Sequence, residues 1–175
     1  PFVPNFPGNE HVITSNEVFH NESFPKTIMI IGGGYIAVEF AGIMHGLGAK
    51  VTQLYRGPLF LRGFDKDVRE HLAGEMKKKG INLWFNEDVA SIERHGSGLH
   101  VTLTSGEVVK TQMVMYSTGR KPLSGGMGLE EAGVELAKNG AIVVDNKFQT
   151  SVPSIYALGD VIDRVALTPV ALAEG

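Results

Sequence analysis

Ile30-Ile31-Gly32-Gly33-Gly34-Tyr35-Ile36-Ala37-Val38-Glu39-Phe40-Ala41 is the stretch that decides the fold. An apolar β run, Thr27-Ile28-Met29-Ile30-Ile31, enters a glycine cluster, and a helical pattern comes directly after it. Gly32-x-Gly34-x-x-Ala37 has the spacing of a dinucleotide-binding turn. The first glycine allows the tight turn, the second lets a pyrophosphate approach the backbone, and the small third residue lets helix and strand pack closely. The helix N-terminus then offers free N–H groups and the positive end of a dipole to phosphate. Strand before and helix after are the context that lifts this motif above a common glycine turn.

The next strand bears on which dinucleotide is bound. Sites for NAD carry an acidic residue roughly 20 positions on, which accepts from the ribose 2′-OH. Here no Asp or Glu occurs between Glu39 and Asp65. Lys50-Val51-Thr52-Gln53-Leu54-Tyr55 reads as the second strand and runs directly into Arg56, with Arg62 in the same loop. Two guanidiniums and no carboxylate suit a 2′-phosphate, which accepts bidentate charge-assisted bonds. Taken alone, two loop arginines would read as solvated surface. At the end of the second strand of a dinucleotide fold they point to NADPH.

Outward from this pair, the order is β-α-β-α-β and then short strands. The first helix is expected over about Tyr35 to Leu47, with Ile36, Phe40, Ile43, Met44 and Leu47 at helical spacing and Gly48 as its stop. The second is expected over about Lys66 to Lys79. Asp65 and Asp67 sit at its positive end, Lys77-Lys78-Lys79 at its negative end, Gly80 is a C-cap, and Val68, Leu72 and Met76 form its buried stripe. Ile81 to Phe85 is the third strand. Val89 to Arg94, Leu99 to Thr104 and Glu107 to Thr111 then form an antiparallel meander, turned at His95-Gly96-Ser97-Gly98 and Ser105-Gly106. Met113 to Tyr116 is a buried strand ending at Ser117-Thr118-Gly119. Ile142 to Asp145 and Ser154 to Ala157 read as further strands. Thr168-Pro169 opens a last helix, with Thr as N-cap and Pro at the first helical position. The fold class is α/β: a Rossmann-like dinucleotide-binding domain whose parallel sheet has an antiparallel β-meander as crossover.

The chain has 175 residues, 43% hydrophobic and 20% charged, near globular averages, which excludes a disordered chain. A net charge of −3 with no long basic tract argues against nucleic acid as the partner. There is no cysteine, hence neither a disulfide scaffold nor a thiolate metal site in this segment. The six histidines, 11, 20, 45, 71, 95 and 100, show no ligand spacing, so no metal is expected. Ile28 to Met44 is apolar enough to raise a membrane span, but Gly32, Gly33, Gly34, Gly42 and Glu39 make it a strand, turn and helix away from any membrane.

Four stretches together resemble the flavin-dependent pyridine nucleotide–disulfide oxidoreductases, and among them the glutathione reductases. Gly32 to Gly42 is similar to their NADPH helix. Arg56 and Arg62 match the spacing of their 2′-phosphate arginines. Ser117-Thr118-Gly119-Arg120-Lys121-Pro122 is similar to their Ala-Thr-Gly-Arg-x-Pro turn, with Ser in place of the first Ala. Thr150 to Asp160 is similar to their second flavin motif. The resemblance spans almost the whole chain.

That resemblance implies NADPH and FAD as cofactors, and it implies a role for each site residue. Gly32, Gly33, Gly34, Ile36, Arg56 and Arg62 meet NADPH. Tyr35, which by residue type alone reads as packing, becomes the lid over the nicotinamide pocket. Glu39, one turn on and otherwise an exposed carboxylate, supports that pocket through a lysine elsewhere. Gly119, Arg120 and Asp160 meet FAD, Asp160 at the ribitol chain. Leu167 and Thr168 place a helix start at the flavin pyrimidine edge. No catalytic redox residue lies in this segment.

Members of the family have an N-terminal flavin fingerprint, a redox-active Cys pair and a C-terminal dimer domain. None of these is in the sequence, which opens on a linker-like Pro1-Phe2-Val3-Pro4-Asn5-Phe6-Pro7-Gly8 and stops inside a helix pattern. It therefore reads as the central part of a longer flavoenzyme. Residues 1–24 are linker and edge of an FAD domain, 25–147 the NADPH domain, and 148–175 the return into the FAD domain. The implied parent is a cytoplasmic homodimer acting on a small-molecule disulfide such as glutathione disulfide. A trypanothione- or mercuric-reductase-like enzyme remains open. So does a stand-alone regulatory nucleotide module, although such a module has no use for half a flavin site.

Overall fold

The computed structural model describes all 175 residues. They form two compact units, Pro1–Gly119 and Arg120–Gly175. The division falls ahead of the 147/148 boundary read from the sequence. The reason is that residues after Arg120 gather round their own small core of Val134, Ile142, Ala157 and Ile162.

In the first unit, β1 (Thr27–Ile31), β2 (Lys50–Tyr55), β3 (Asn82–Phe85) and β7 (Met113–Tyr116) form one parallel sheet in the order β3-β2-β1-β7. β4 (Val89–His95), β5 (Gly98–Leu103) and β6 (Val108–Thr111) form a separate antiparallel sheet, the expected meander crossover. Two helices, α1 (Tyr35–Gly46) and α2 (Lys66–Lys78), join the first three strands.

After Thr27, β1 is apolar at every position because both its faces are covered. Ile28 and Ile30 pack on the helix side with Ala37, Ala41, Met44, Ala73 and Met76. Met29 and Ile31 face the other way, in a cluster with Ile92, Leu99, Val101 and Leu103 of the meander and with Tyr116. The first residues of the chain belong to this unit too. Ile13 bridges to Met115, the Ile92 N–H donates to the Pro7 carbonyl at 2.9 Å, and the Phe6 ring stacks on Tyr116 at 5.2 Å.

Several expectations shift. The buried face of α1 is Ala37-Ala41-Met44, while Ile43 and Leu47 are exposed at 51% and 65%. Small residues are selected because α1 lies close on β1, so the larger apolar residues fall on its outer side. In α2 the buried stripe is Leu72, Ala73 and Met76, and Val68 is exposed. The first turn of that face is occupied by Arg69 instead. The helix end is as read: Gly80, at φ 98°, donates to the Lys77 carbonyl and Ile81 to that of Met76, so Ile81 closes the helix and β3 begins one residue later.

The second unit contains no continuous strands. Ile142 and Tyr156 each make one isolated antiparallel bridge, to Leu136 and Gln149. Turns interrupt each ladder: Gly140 at φ 88°, the Asp145 carboxylate accepting from the Lys147 and Gln149 amides, and Phe148 at φ 61°. The last helix, α3, is Thr168–Glu174. Its cap is Leu167, whose carbonyl accepts from Val170 and Ala171, so Thr168 is the first helical residue and makes no side-chain cap.

Candidate functional site

The glycine turn lies at the carboxyl end of β1, beside the ends of β2 and β7. Each glycine serves a different purpose. Gly32 has φ 148°, and a β-carbon there would lie 2.4 Å from the Ser117 carbonyl oxygen and 3.2 Å from the Ala37 β-carbon. β1, β7 and α1 therefore close together only over a hydrogen atom at this position. A β-carbon on Gly33 would lie 2.4 Å from the Tyr55 ring, and one on Gly57 would lie 2.7 Å from the same ring. Tyr55 is thus held between two glycine backbones. Gly34 is extended (φ −87°, ψ 174°), and a β-carbon on it would meet nothing within 4 Å. It caps α1 with no side-chain hydrogen bond, and the space beside it at the helix start is clear. That is the geometry an approaching diphosphate requires.

Two buried ties hold the turn. The Gln53 side chain is fully buried, and its amide nitrogen donates to the Gly32 carbonyl at 3.1 Å. The Leu61 amide donates to the Gly33 carbonyl at 2.6 Å. This second bond joins the glycine turn to the loop 56–64, which carries Arg56 and Arg62, both exposed. Phe60 anchors the loop, with no exposure and an edge-on contact to Phe85 at 5.6 Å. Asp65, which ends the loop, is already committed: its carboxylate accepts from the Asp67 and Val68 amides at 2.9 and 3.2 Å as the cap of α2. The loop therefore presents two guanidiniums and no available carboxylate.

Tyr35 and Glu39 lie one turn apart at the start of α1, Tyr35 at 42% exposure and Glu39 exposed, with Ile36 half-buried between them. Thr118 donates to the Phe2 carbonyl at 3.0 Å, and Gly119, at φ 142°, accepts from the Phe2 amide at 2.8 Å.

In the second unit, Arg120 and Asp160 come together, Nε to Oδ2 at 3.5 Å, and line an open pocket with Lys121, Pro122, Asp163 and Ala166. Asp160 follows Gly159, which is at φ 72° and donates its amide to the Glu174 carboxylate at 2.7 Å. Leu167 and Thr168 form the start of α3 in the same unit.

Away from both places, His95 and His100 face each other across the β4–β5 hairpin, rings stacked at 3.9 Å. Desolvation first, then the neighbouring His95 and Lys110, lowers the basicity of His100.

Sequence reasoning missed Gln53, Tyr55, Leu61 and Arg69. Two of them carried a signal. Gln53 is a polar residue in the middle of an apolar parallel strand. Arg69 stands on the helical stripe of Leu72, Ala73 and Met76, where an apolar residue belongs.

The family pattern described as pyridine nucleotide-disulphide oxidoreductase matches residues 1–175. The chain belongs to the pyridine nucleotide-disulphide oxidoreductase family. The glutathione reductase of Burkholderia cepacia is 51% identical over 175 residues, which are 100% of this chain and 39% of that protein. The trypanothione reductase of Trypanosoma congolense is 44% identical over 179 residues, covering 100% of this chain and 36% of that one. Among solved structures, the HOCl-induced flavoprotein disulfide reductase RclA from Escherichia coli superposes with a TM-score of 0.94 at 30% identity, covering 99% of this chain and 40% of that chain. The chain thus spans about two fifths of the length of these family members. No helix in it is long and apolar enough to cross a membrane.

Proposed function

We propose that this chain is the NADPH-binding part of an FAD-dependent disulfide reductase, with glutathione disulfide as the substrate of the whole protein. One observation carries the reading. The open glycine turn is hydrogen-bonded through Leu61 to a loop with two exposed arginines, and the carboxylate that ends the loop, Asp65, is consumed as a helix cap. A ribose diol would find no acceptor there, whereas a 2′-phosphate would meet two charged donors.

In this reading Gly34 and the first amides of α1 hold the pyrophosphate, Arg56 and Arg62 hold the 2′-phosphate, and Tyr35 covers the nicotinamide with Glu39 in support. Arg120 and Asp160 contribute to the flavin site, together with Gly119, Leu167 and Thr168. The bound cofactors supply the chemistry, hydride from NADPH to FAD and onward to a redox disulfide outside this chain. These residues orient the cofactors and set the charge around them. The 51% identity to the Burkholderia cepacia glutathione reductase favours glutathione disulfide, although other glutathione reductases, at 44–45%, and trypanothione reductases, at 44–46%, are equally similar to this chain. The family resemblance alone supports a cytoplasmic homodimer.

The test uses the full-length holoenzyme. A hydrogen bond to a charged group contributes roughly 1.5–3 kcal/mol, or about ten- to a hundred-fold in affinity. Solvent exposure and salt draw each arginine towards the lower end. Arg56→Leu/Arg62→Leu is expected to raise the Kd for NADP⁺ by about a hundred-fold and to leave NAD⁺ nearly unchanged. High ionic strength should weaken NADP⁺ more than NAD⁺. If both dinucleotides weaken equally, the arginines serve the fold or the pyrophosphate and the cofactor assignment fails. Turnover of glutathione disulfide in preference to trypanothione disulfide is the matching check on substrate.

A further inference from the structure

Loop 56–64 has to keep two long side chains aimed at one anion, yet its backbone is poorly suited to standing still. It contains Gly57, Gly63 at φ 101°, and Leu61 at φ 56°, a left-handed conformation that a leucine adopts only when its surroundings impose it. Beyond the buried Phe60 and the bond to Gly33, those surroundings include one side chain of α2. Arg69, half-buried, donates from Nε to the Phe60 carbonyl and from Nη2 to the Leu59 carbonyl, both at 2.7 Å. A planar guanidinium fork takes two consecutive carbonyls at once, which fixes the direction of both peptide planes and not only their distance. The residue after Phe60 is the strained Leu61, whose amide bonds Gly33, and the next is Arg62. Arg69 thus lies on the outer side of the same short path whose inner end is the glycine turn.

We propose that Arg69 is a positioning residue for cofactor choice: by clamping the Leu59 and Phe60 carbonyls it sets the loop in which Arg56 and Arg62 grip the 2′-phosphate. Its own donors point to backbone carbonyls, so it acts through the loop and not as a phosphate ligand. The inference rests on the reading above that Arg56 and Arg62 meet that phosphate.

Arg69→Lys is the decisive variant. It keeps the charge and the aliphatic stem, so the fold and the long-range field are retained, but it cannot span two carbonyls in a fixed plane. The full-length holoenzyme is titrated calorimetrically with NADP⁺, NAD⁺, 2′,5′-ADP and 5′-AMP. Hydrogen exchange is followed at the Leu61 and Phe64 amides, which donate to Gly33 and Leu61. Arg69→Lys should raise the Kd for NADP⁺ and 2′,5′-ADP on the order of tenfold and change NAD⁺ and 5′-AMP less than twofold. Exchange at both amides should quicken. Arg69→Met should do the same, not more.

An unchanged ratio of NADP⁺ to NAD⁺ affinity in Arg69→Lys overturns the proposal. So does a loss seen in Arg69→Met and absent in Arg69→Lys, because that would be the work of charge alone. Arg56→Leu/Arg62→Leu run in parallel separates the two failures. If that pair loses the preference while Arg69→Lys keeps it, only the clamp is wrong. If that pair keeps the preference, the phosphate reading falls and the clamp with it.

Discussion

Replacing Gly32 by Ala adds one methyl group at the point in the turn where none fits. The new β-carbon would lie 2.4 Å from the Ser117 carbonyl oxygen and 2.9 Å from its carbon. Carbon–oxygen contacts begin at about 3.3 Å, so the overlap is about 0.9 Å. Both sides of the contact are backbone, and relief requires β1 and β7 to part along their paired register from Ile28 to Tyr116. Overpacking of this kind costs roughly 1–3 kcal/mol. An alanine held at a φ of 148° adds a further penalty of about 1–3 kcal/mol. The expected loss is about 2–6 kcal/mol, a fall in Tm on the order of 5–20 °C for a chain of this size.

Gly34→Ala is the matched control. Its backbone is extended and its β-carbon meets open space, so stability should stay within about 0.5 kcal/mol of wild type. That open space is where the pyrophosphate is proposed to lie, so nucleotide affinity should fall instead. Urea unfolding followed by circular dichroism reads the first effect, and calorimetric titration with NADP⁺ reads the second. The two variants should fail in opposite assays. Unfolding of Gly32→Ala within about 0.5 kcal/mol of wild type, or wild-type NADP⁺ affinity in Gly34→Ala, would refute the division of labour between the two glycines.

Two smaller effects complete the set. Asp65→Ala removes the cap of α2 and should cost about 1 kcal/mol in urea unfolding, while Asp65→Asn should recover most of it, since an amide oxygen caps as well. Glu87 is held down to about 2 by hydrogen bonds from Ser105 and Thr104. A carboxylate with a depressed folded value stabilises above its unfolded value, so the contribution is full above pH 4.5 and fades as pH falls towards 2. The stability difference between wild type and Glu87→Gln, measured by urea unfolding at successive pH values, should therefore shrink through that window, and a difference independent of pH would show that the charge is not involved.

How much of the fold was legible in the sequence depends on where the information sits. The parallel strands, the meander and the limits of both long helices are written in local signals: apolar runs, glycine stops, an Asp cap and a lysine-rich end. Which residues of a helix face inward is not local. Leu47 and Val68 fit a 3.6-residue period but lie outside, because the buried face of α1 ends at Met44 with Leu47 as the helix cap, and because Arg69 takes the first turn of α2. The strands of the second unit failed for a related reason. Ile142 to Asp145 is apolar enough for a ladder, but the partner segment turns away after one bridge. At the site, the glycine turn and the two arginines were named from spacing, and Tyr35, Glu39, Gly119, Arg120, Asp160, Leu167 and Thr168 from the family resemblance. Of those that hold them, Gln53 and Arg69 stand out only as polar residues at apolar positions and Tyr55 not at all, since what each one bonds or packs against depends on three-dimensional neighbours.

The central position of β1 also sets the order in which the chain can complete itself. Its partner β2 follows within one helix, but its other partner, β7, arrives some 85 residues later, after the entire meander has been made. Until then one edge of Thr27–Ile31, the most apolar strand of the sheet, stands with its N–H and C=O groups open. On a ribosome, where synthesis proceeds at about 5–20 residues per second, that edge waits for several seconds. Tyr116 and its neighbours are therefore more than a wall of the core. They are the late-arriving lid on an adhesive edge, and a nascent chain halted anywhere between Phe85 and Met113 presents to the cell a nearly finished nucleotide turn attached to an unsealed sheet.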